Sequence, residues 1–250
     1  MISVIIPCHN QAQYLRAAME SVLVQIRGDH EIVVVNDGST DGTSDVVNSV
    51  IAENPGRDIR LVEQDQAGLS AARNAGIASC DSEYILPLDA DDFLNPTYLA
   101  QSVVLLENGS ADIVASGRLN FGMACALVMQ HEIDPNLLAV ANVVPYCSVY
   151  RRACWKKVGG YPVNYPRMGY EDWEFWLKCA IAGFRFSTVS EVLWNYRVRE
   201  NSMASGAVED DEYLRARMIT RNPTHYAVES IERAYQLVES EETQCEMSVG

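Results

Sequence analysis

The chain has 250 residues, a length that one large domain with a full hydrophobic core accounts for without metal or disulfide staples. Hydrophobic residues make up 48% and charged residues 21%, proportions that exclude a disordered, collagen-like or disulfide-scaffold chain. Thirty-four Asp and Glu against 19 Lys and Arg leave a net charge of -15, a field that repels nucleic-acid phosphates and anionic lipid, so no nucleic-acid partner is expected.

Met1 leads directly into Ile2 to Ile6, an apolar, β-branched run of strand length, and similar runs follow at Ile32 to Val35, Ile59 to Val62 and Tyr84 to Leu88. Such runs read as strands buried on both faces, and the helical segments between them predict a parallel sheet flanked by helices over residues 1–108. Asn10 is placed to cap the first helix, whose Leu15, Ala18 and Val22 recur at helical spacing. Ser39 to Thr43 open a second, with Val46, Val47, Val50 and Ile51 inward, and Gly68 to Gly76 is a helix of small residues able to approach the sheet closely. Asn95 and Pro96 read as N-cap and first residue of a fourth helix that ends near Gly109.

Asp112 to Ser116 is a further strand, after which the pattern loosens through Phe121 to Val144 and Gly159 to Gly169, lengths typical of functional or mobile loops. Helical periodicity returns at Glu171 to Ala182, with Trp173, Trp176, Leu177, Ala180 and Ile181 on one face and Gly183 as the stop. Two short strands are expected at Arg185 to Val189 and Val192 to Tyr196. From Ala204 onward ten carboxylates stand against four arginines, which predicts one or two surface helices covering one side of the core or joining a subunit contact in a homo-oligomer. The seven cysteines show no C-x-x-C pair and the four histidines are far apart, a pattern of reduced thiols used as small hydrophobes. No run reaches the roughly 18 to 20 apolar residues of a membrane span. A cytoplasmic protein without a transmembrane segment is expected, attached to a membrane at most peripherally through an acceptor or partner.

In a doubly wound sheet ligands bind beyond the carboxyl ends of the strands. Those positions are occupied here by Pro7-Cys8-His9-Asn10, by Asn36-Asp37-Gly38-Ser39-Thr40-Asp41-Gly42 and by Asp89-Ala90-Asp91-Asp92. No G-x-G-x-x-G follows a strand and no G-x-x-x-x-G-K-[ST] occurs, which removes the dehydrogenase and P-loop readings. Asp89 and Asp91, one residue apart at a strand exit, point the same way and offer hard oxygens that suit Mg2+ or Mn2+ bridging a diphosphate. Plain turn chemistry, with Asp92 capping the next helix, is the alternative. Arg73 on the small-residue helix has the plain reading of an arginine snorkelling over the sheet surface. Glu171 and Asp172 open the aromatic helix, where the positive end of the macrodipole favours ionised carboxylates. Helical projection puts Asp172 at the rim of the buried stripe and Glu171 nearly away from the core.

Taken in order over about 200 residues, these segments resemble the family-2 glycosyltransferases of GT-A fold. The carriers are Ile5-Ile6-Pro7-x-x-Asn10, Val35-Asn36-Asp37-Gly38-Ser39-x-Asp41-Gly42-Thr43, Gly68-Leu69-Ser70-x-Ala72-Arg73-Asn74-x-Gly76-Ile77, Leu88-Asp89-x-Asp91-Asp92, Glu171-Asp172-x-Glu174-Phe175-Trp176-Leu177 and Tyr196-Arg197. The resemblance implies an α/β chain with a mostly parallel, Rossmann-like central sheet over residues 1–203, divided into a nucleotide-binding half, 1–108, and an acceptor-side half, 109–203, with a helical extension over 204–250. It implies an enzyme that moves a sugar from a nucleotide-diphospho-sugar, UDP-sugars being weakly preferred, to a hydroxyl of a glycan, lipid-linked or small-molecule acceptor with inversion.

The implied roles are Pro7 and Asp37 at the nucleobase, Asn10 on the same nucleotide site, Arg73 and Asp89 at the ribose-diphosphate region, Asp91 on Mn2+ or Mg2+, and Asp172 as general base with Glu171 the second choice. Arg199 stands where many relatives carry a metal-coordinating His. Either the metal is held by Asp91, the diphosphate and water, or Arg199 contacts the diphosphate as a fixed positive charge. A non-catalytic sugar-nucleotide module of the same fold is the competing reading, opposed by the presence of both Asp91 and Asp172. A sugar-phosphate nucleotidyltransferase would open with a Gly-Gly-x-Gly loop, which Pro7-Cys8-His9-Asn10 is not.

Overall fold

Alternation along the first strand sets the architecture: Ile2, Val4 and Ile6 enter one hydrophobic core and Ile5 the other, all fully buried. The computed structural model describes residues 1–163, 169–200 and 210–249, with side chains to residue 241. The sheet strands are β1 (Ile2–Cys8), β2 (His30–Asp37), β3 (Ile59–Gln64), β4 (Tyr84–Pro87), β5 (Phe93–Leu94), β6 (Ile113–Gly122), β7 (Ala126–Val128), β8 (Val149–Arg151) and β9 (Phe186–Val198). Their spatial order is β3-β2-β1-β4-β8-β6-β9-β5, with β7 added on β6. The long ladders, β3-β2-β1-β4 and β6-β9, are parallel, and the antiparallel pairings at β4-β8, β8-β6, β9-β5 and β6-β7 are short joints of two or three residue pairs.

Helices α1 (Ala12–Leu23), α2 (Thr43–Glu53) and α4 (Tyr98–Glu107) cover one face through Leu15, Met19, Val47, Val50, Leu99 and Val103. On the other face lie α3 (Leu69–Ala78), α5 (Arg152–Val158) and α6 (Glu171–Ile181), packed through Ala72, Ile77, Cys154, Phe175, Trp176 and Leu177. A Cβ on Gly76 would stand 2.5 Å from the Ile5 side chain and 2.9 Å from Val35, so α3 lies closer to β1 and β2 than any residue but glycine allows. Cys8, Cys80, Cys147, Cys154 and Cys179 are buried free thiols, filling the core as small hydrophobes. Among the described residues no helix is long and apolar enough to cross a membrane.

Several boundaries differ from the sequence expectations. The two strands expected after Gly183 are one strand, β9, carried across by an irregularity opposite Ser116, Gly117 and Arg118 that absorbs the extra residues. Gln11, not Asn10, precedes α1; Asn10 adopts a left-handed φ of 53°, and Asp41 across the groove accepts the first helical N–H, from Ala12, at 3.0 Å. Helix α4 begins at Tyr98, because the Asn95 amide donates to the Val192 carbonyl at 2.7 Å and its backbone carbonyl accepts from Tyr98. Strand β8 and helix α5 were not legible in the sequence, being three and seven residues long.

The acidic extension forms α7 (Asp211–Arg221) and α8 (Val228–Val249). Met218 of α7 is buried in the α6-side core, and Tyr213, Leu214, Ala216, Ala234 and Val238 make a third, smaller cluster between α7 and α8. The expected division at 203/204 lies outside the described residues, as do residues 164–168 of the stretch from Gly159 to Gly169.

Candidate functional site

Strand β1 is flanked by β2 on one side and β4 on the other, so the direction of strand order reverses there and a groove opens above the carboxyl ends of all three. The loop after β1 is tied to the loop after β2: Asn10 Oδ1 accepts from the Thr40 N–H at 2.8 Å and Asn10 N–H donates to Ser39 Oγ at 3.0 Å. The His9 Nδ1 donates to the Asp37 carbonyl at 2.7 Å, which leaves Nε2 to accept from the Asn10 amide at 3.1 Å. Pro7 is buried in register with Val35. The Asp37 carboxylate is 4% exposed and accepts from Gln64 Nε2 at 2.7 Å and from the N–H groups of Ala67 and Gly68, each at 2.8 Å. Its present work is to fix the turn that launches α3.

Arg73 comes off α3 into the floor of the groove and is not the surface-snorkelling residue its sequence position suggested. Only 1% of it is exposed. Its Nη2 donates to Asp89 Oδ1 and its Nη1 to Glu171 Oε1, both at 2.9 Å, with the guanidinium 5.3 and 5.4 Å from the ring centres of Tyr146 and Tyr161. Paired twice and sealed, Arg73 fixes the positions of the two carboxylates it holds and ties the Asp89–Asp92 loop to the start of α6. Glu171 is correspondingly buried, contrary to the projection that turned it away from the core. The projection assumed one buried stripe, whereas Glu171, Trp173, Glu174, Phe175, Trp176, Leu177 and Cys179 are all buried, because α6 is enclosed on more than one side.

Asp89 keeps 27% of its side-chain surface exposed; Asp91 keeps 10%, and its Oδ2 lies 2.7 Å from Arg199 Nε. Burial, and then the charge of Asp89, pushes the Asp91 carboxyl above the usual carboxylate range, against the pull of Arg199. Asp92 does not cap α4. It is 1% exposed, accepting from the Tyr146 hydroxyl at 2.5 Å and from the Arg197 N–H at 2.6 Å, and burial followed by the Asp89 charge raises its pKa strongly. Arg197 donates from Nε to the Asp91 carbonyl at 3.0 Å, and its guanidinium stands 4.5 Å from the Tyr14 ring centre, with that of Arg199 at 5.6 Å. The end of β9 thus presents two guanidinium groups to the Asp89–Asp92 loop. Tyr146 also accepts from the Asp89 N–H at 3.2 Å; it lies in the weakly patterned region, where no sequence signal marked it.

Asp172 lies in the first turn of α6, beside the Arg73-bound Glu171, and is partly exposed. Its Oδ1 accepts from the Trp173 N–H at 2.8 Å and its Oδ2 from the Asn142 amide at 3.2 Å. Burial, and then the charge of Glu171, pushes its pKa up to about 7, with Arg73 and the two hydrogen bonds pulling the other way. The helix terminus was expected to keep this acid firmly ionised; desolvation outweighs the macrodipole, which contributes typically only 0.3–1 kcal/mol.

For a divalent cation the donor set is partial. Among the described residues no three or more His, Cys, Asp or Glu side chains form a site able to hold a metal. Mg2+ and Mn2+ commonly take one or two protein carboxylates and complete their shell with phosphate and water. Asp89 and Asp91 are hard oxygen donors facing the groove, so the residues present fit a cation that arrives with a diphosphate. Arg199 competes with it for Asp91.

The sequence model of Glycosyl transferase family 2 matches residues 3–159. Glycosyltransferase GlyA of Streptococcus pneumoniae serotype 4 is 37% identical over 120 residues, which is 48% of this chain and 17% of that protein's length. Among solved structures, S. aureus TarS 1–349 in complex with UDP-GlcNAc superposes with a TM-score of 0.72 at 20% identity, covering 88% of this chain and 66% of that one. The mannosyltransferase PcManGT from Pyrobaculum calidifontis, in complex with GDP-Man and Mn2+, gives 0.70 at 22% identity over 89% of this chain and 64% of that one. At these identities the structural likeness shows the fold, the GT-A arrangement expected from the sequence.

Proposed function

The chain belongs to glycosyl transferase family 2, and from that premise we propose that it transfers a sugar from a nucleotide-diphospho-sugar to an acceptor hydroxyl by a single inverting displacement. The observation that carries the reading is the bridge made by Arg73, which ties the Asp89–Asp92 loop to the α6 terminus and so brings two kinds of carboxylate to one place. On the donor side Asp89 is held by Arg73, and Asp91 meets Arg199 at its carboxylate and Arg197 at its backbone carbonyl. On the other stands Asp172, whose pKa near 7 is that of a base poised at neutral pH.

In this mechanism the nucleoside lies over the ends of β1 and β2, against Pro7, Asn10 and the turn that Asp37 holds. Asp89, fixed by Arg73, receives the ribose-diphosphate region, and Arg199 offers a charge-assisted hydrogen bond to the diphosphate when Asp91 turns from it. When bound, Mn2+ or Mg2+ at Asp91 supplies Lewis-acid neutralisation of the leaving diphosphate. Asp172 accepts the acceptor's hydroxyl proton as that oxygen attacks the anomeric carbon, and Asn142 and the Trp173 N–H orient its two oxygens. Glu171, engaged by Arg73, is not available as an alternative base. A donor being a UDP-sugar is supported by the TarS complex and a GDP-sugar by the PcManGT complex.

The test is a panel of UDP- and GDP-sugars scored for thermal stabilisation with Mn2+ and for nucleotide release. A donor at about 100 times its Kd adds roughly 2.7 kcal/mol to stability. Stabilisation by one or more nucleotide sugars with release of the nucleoside diphosphate is expected. Stabilisation without release under any acceptor would favour the non-catalytic module.

A further inference from the structure

Helix α7 belongs to the acidic extension, yet it touches both segments that carry Asp172 and its partner. Arg215 Nε donates to both Asp211 oxygens at 2.8 Å, its Nη1 donates to the Val140 carbonyl at 2.7 Å, and its guanidinium lies 4.7 Å from the centre of the Trp173 ring. Asp211 in turn accepts from the Tyr170 hydroxyl. Tyr170 is the left-handed residue, φ 62°, immediately before Glu171 and Asp172, and its ring packs edge-on against Trp173 at 5.0 Å. Val140 lies two residues before Asn142, whose amide donates to Asp172 Oδ2. Trp173 Nε1 adds a tie from α6 to the same stretch through the Leu138 carbonyl at 2.7 Å.

We infer that Arg215, with Asp211 and Tyr170, is a positioning device for the general base, clamping the α6 terminus to the 138–142 segment so that Asn142 and the Trp173 N–H hold Asp172 toward the acceptor. The inference rests on the reading of Asp172 as the base. Three observations favour it over a merely structural pair. The contacts are hydrogen bonds and a cation–π contact from one side chain to both segments, adding to the Trp173–Leu138 and Asn142–Asp172 ties between them. Both segments touch the same carboxylate. The guanidinium and Asp211 remain about 40% exposed, so little core stability depends on them. A planar fork is also the group that reaches a carboxylate, a carbonyl and a ring face at once, which a lysine cannot. The strain of a non-glycine residue at φ 62° marks Tyr170 as held by its surroundings.

The experiment compares the parent, Arg215→Met, Arg215→Lys, Asn142→Ala, the Arg215→Met/Asn142→Ala pair and Asp172→Asn. The full chain is assayed for nucleoside-diphosphate release to water from whichever of UDP-glucose, UDP-N-acetylglucosamine and GDP-mannose the parent turns over fastest. Arg215→Met is expected to lower kcat about 10- to 100-fold, the scale that misplacing a catalytic group by about 1 Å costs. Nucleoside-diphosphate affinity should stay within twofold, and Arg215→Lys should recover only part of the loss.

Because Arg215 and Asn142 act through one carboxylate, their combined effect on kcat should be well below the product of the single effects. Amide hydrogen exchange should show 138–142 and 170–173 loosening together in Arg215→Met. Should that variant not fold, Tyr170→Phe, which removes one hydroxyl, carries the same expectations at smaller size. Parent-like kcat in Arg215→Met, or fully multiplicative effects with Asn142→Ala, overturns the inference while an inactive Asp172→Asn leaves the base standing. An Asp172→Asn enzyme at parental rate overturns the base reading itself, and the inference with it.

Discussion

Replacing Asp172 by Asn should slow turnover severely and at the same time stabilise the fold at alkaline pH. The folded chain holds this carboxyl near pKa 7, against about 3.9 in an unfolded chain. The native state therefore binds the proton more tightly, so this residue makes stability fall as pH rises from about 4 to about 7. Three decades at 1.36 kcal/mol each set an upper limit of about 4 kcal/mol. Solvent reaches part of the side chain, and after that screening the cost relieved by Asn is about 1 to 3 kcal/mol. Asn retains an oxygen for the Trp173 N–H, so only the Asn142 contact is at stake. The assay is thermal or urea unfolding at pH 4, 6 and 8. A rise of roughly 2 to 8 °C in Tm at pH 8, vanishing by pH 4, is expected. Turnover should fall about 10²- to 10⁴-fold with donor affinity unchanged. A variant less stable than the parent at pH 8 would refute the argument that burial and Glu171 hold this acid up.

Other outcomes follow from the same groups. Glu171→Gln leaves Arg73 with one full carboxylate in a sealed site, so it should destabilise by about 1 to 3 kcal/mol, less than the complete loss of a buried pair. By removing a charge that raises Asp172, it should also shift the acid limb of the kcat profile below the parental value near 7, read from rates between pH 5 and 8. UDP or GDP should bind at least about tenfold more tightly with Mn2+ than with EDTA, because the Asp89 and Asp91 charges otherwise repel the diphosphate. Asp91→Asn should erase that difference in calorimetry; equal affinity in parent enzyme would assign charge neutralisation to Arg199 instead.

The parallel half of the sheet was legible because β1, β2, β3 and β4 are apolar runs buried on both faces, and the helix turns between them use distinctive residues. The Asp89–Asp92 loop stood out as a candidate site for a related reason: polar residues at carboxyl ends of buried strands have few structural explanations. Side-chain direction was less legible than element type. Glu171 was turned outward by projecting a helix onto one buried face, and only the tertiary position of Arg73 shows that its other side is also covered. The raised pKa of Asp172 is likewise a property of packing, since the helix dipole is visible in a sequence and desolvation is not. Tyr146, Asn142 and Arg215 carry no local signal: each matters through a partner 30 or more residues away.

A single displacement in which Asp172 deprotonates the acceptor inverts the anomeric carbon, so the anomeric configuration of the product is the decisive measurement. With an α-linked nucleotide sugar identified by the panel, proton NMR of the earliest product, before mutarotation if water is the acceptor, should show the β anomer. Product formation by the Asp172→Asn variant should be at least about 10²-fold slower. An α product would exclude a single displacement, and β product formed at the parental rate by the Asn variant would exclude Asp172 as the base.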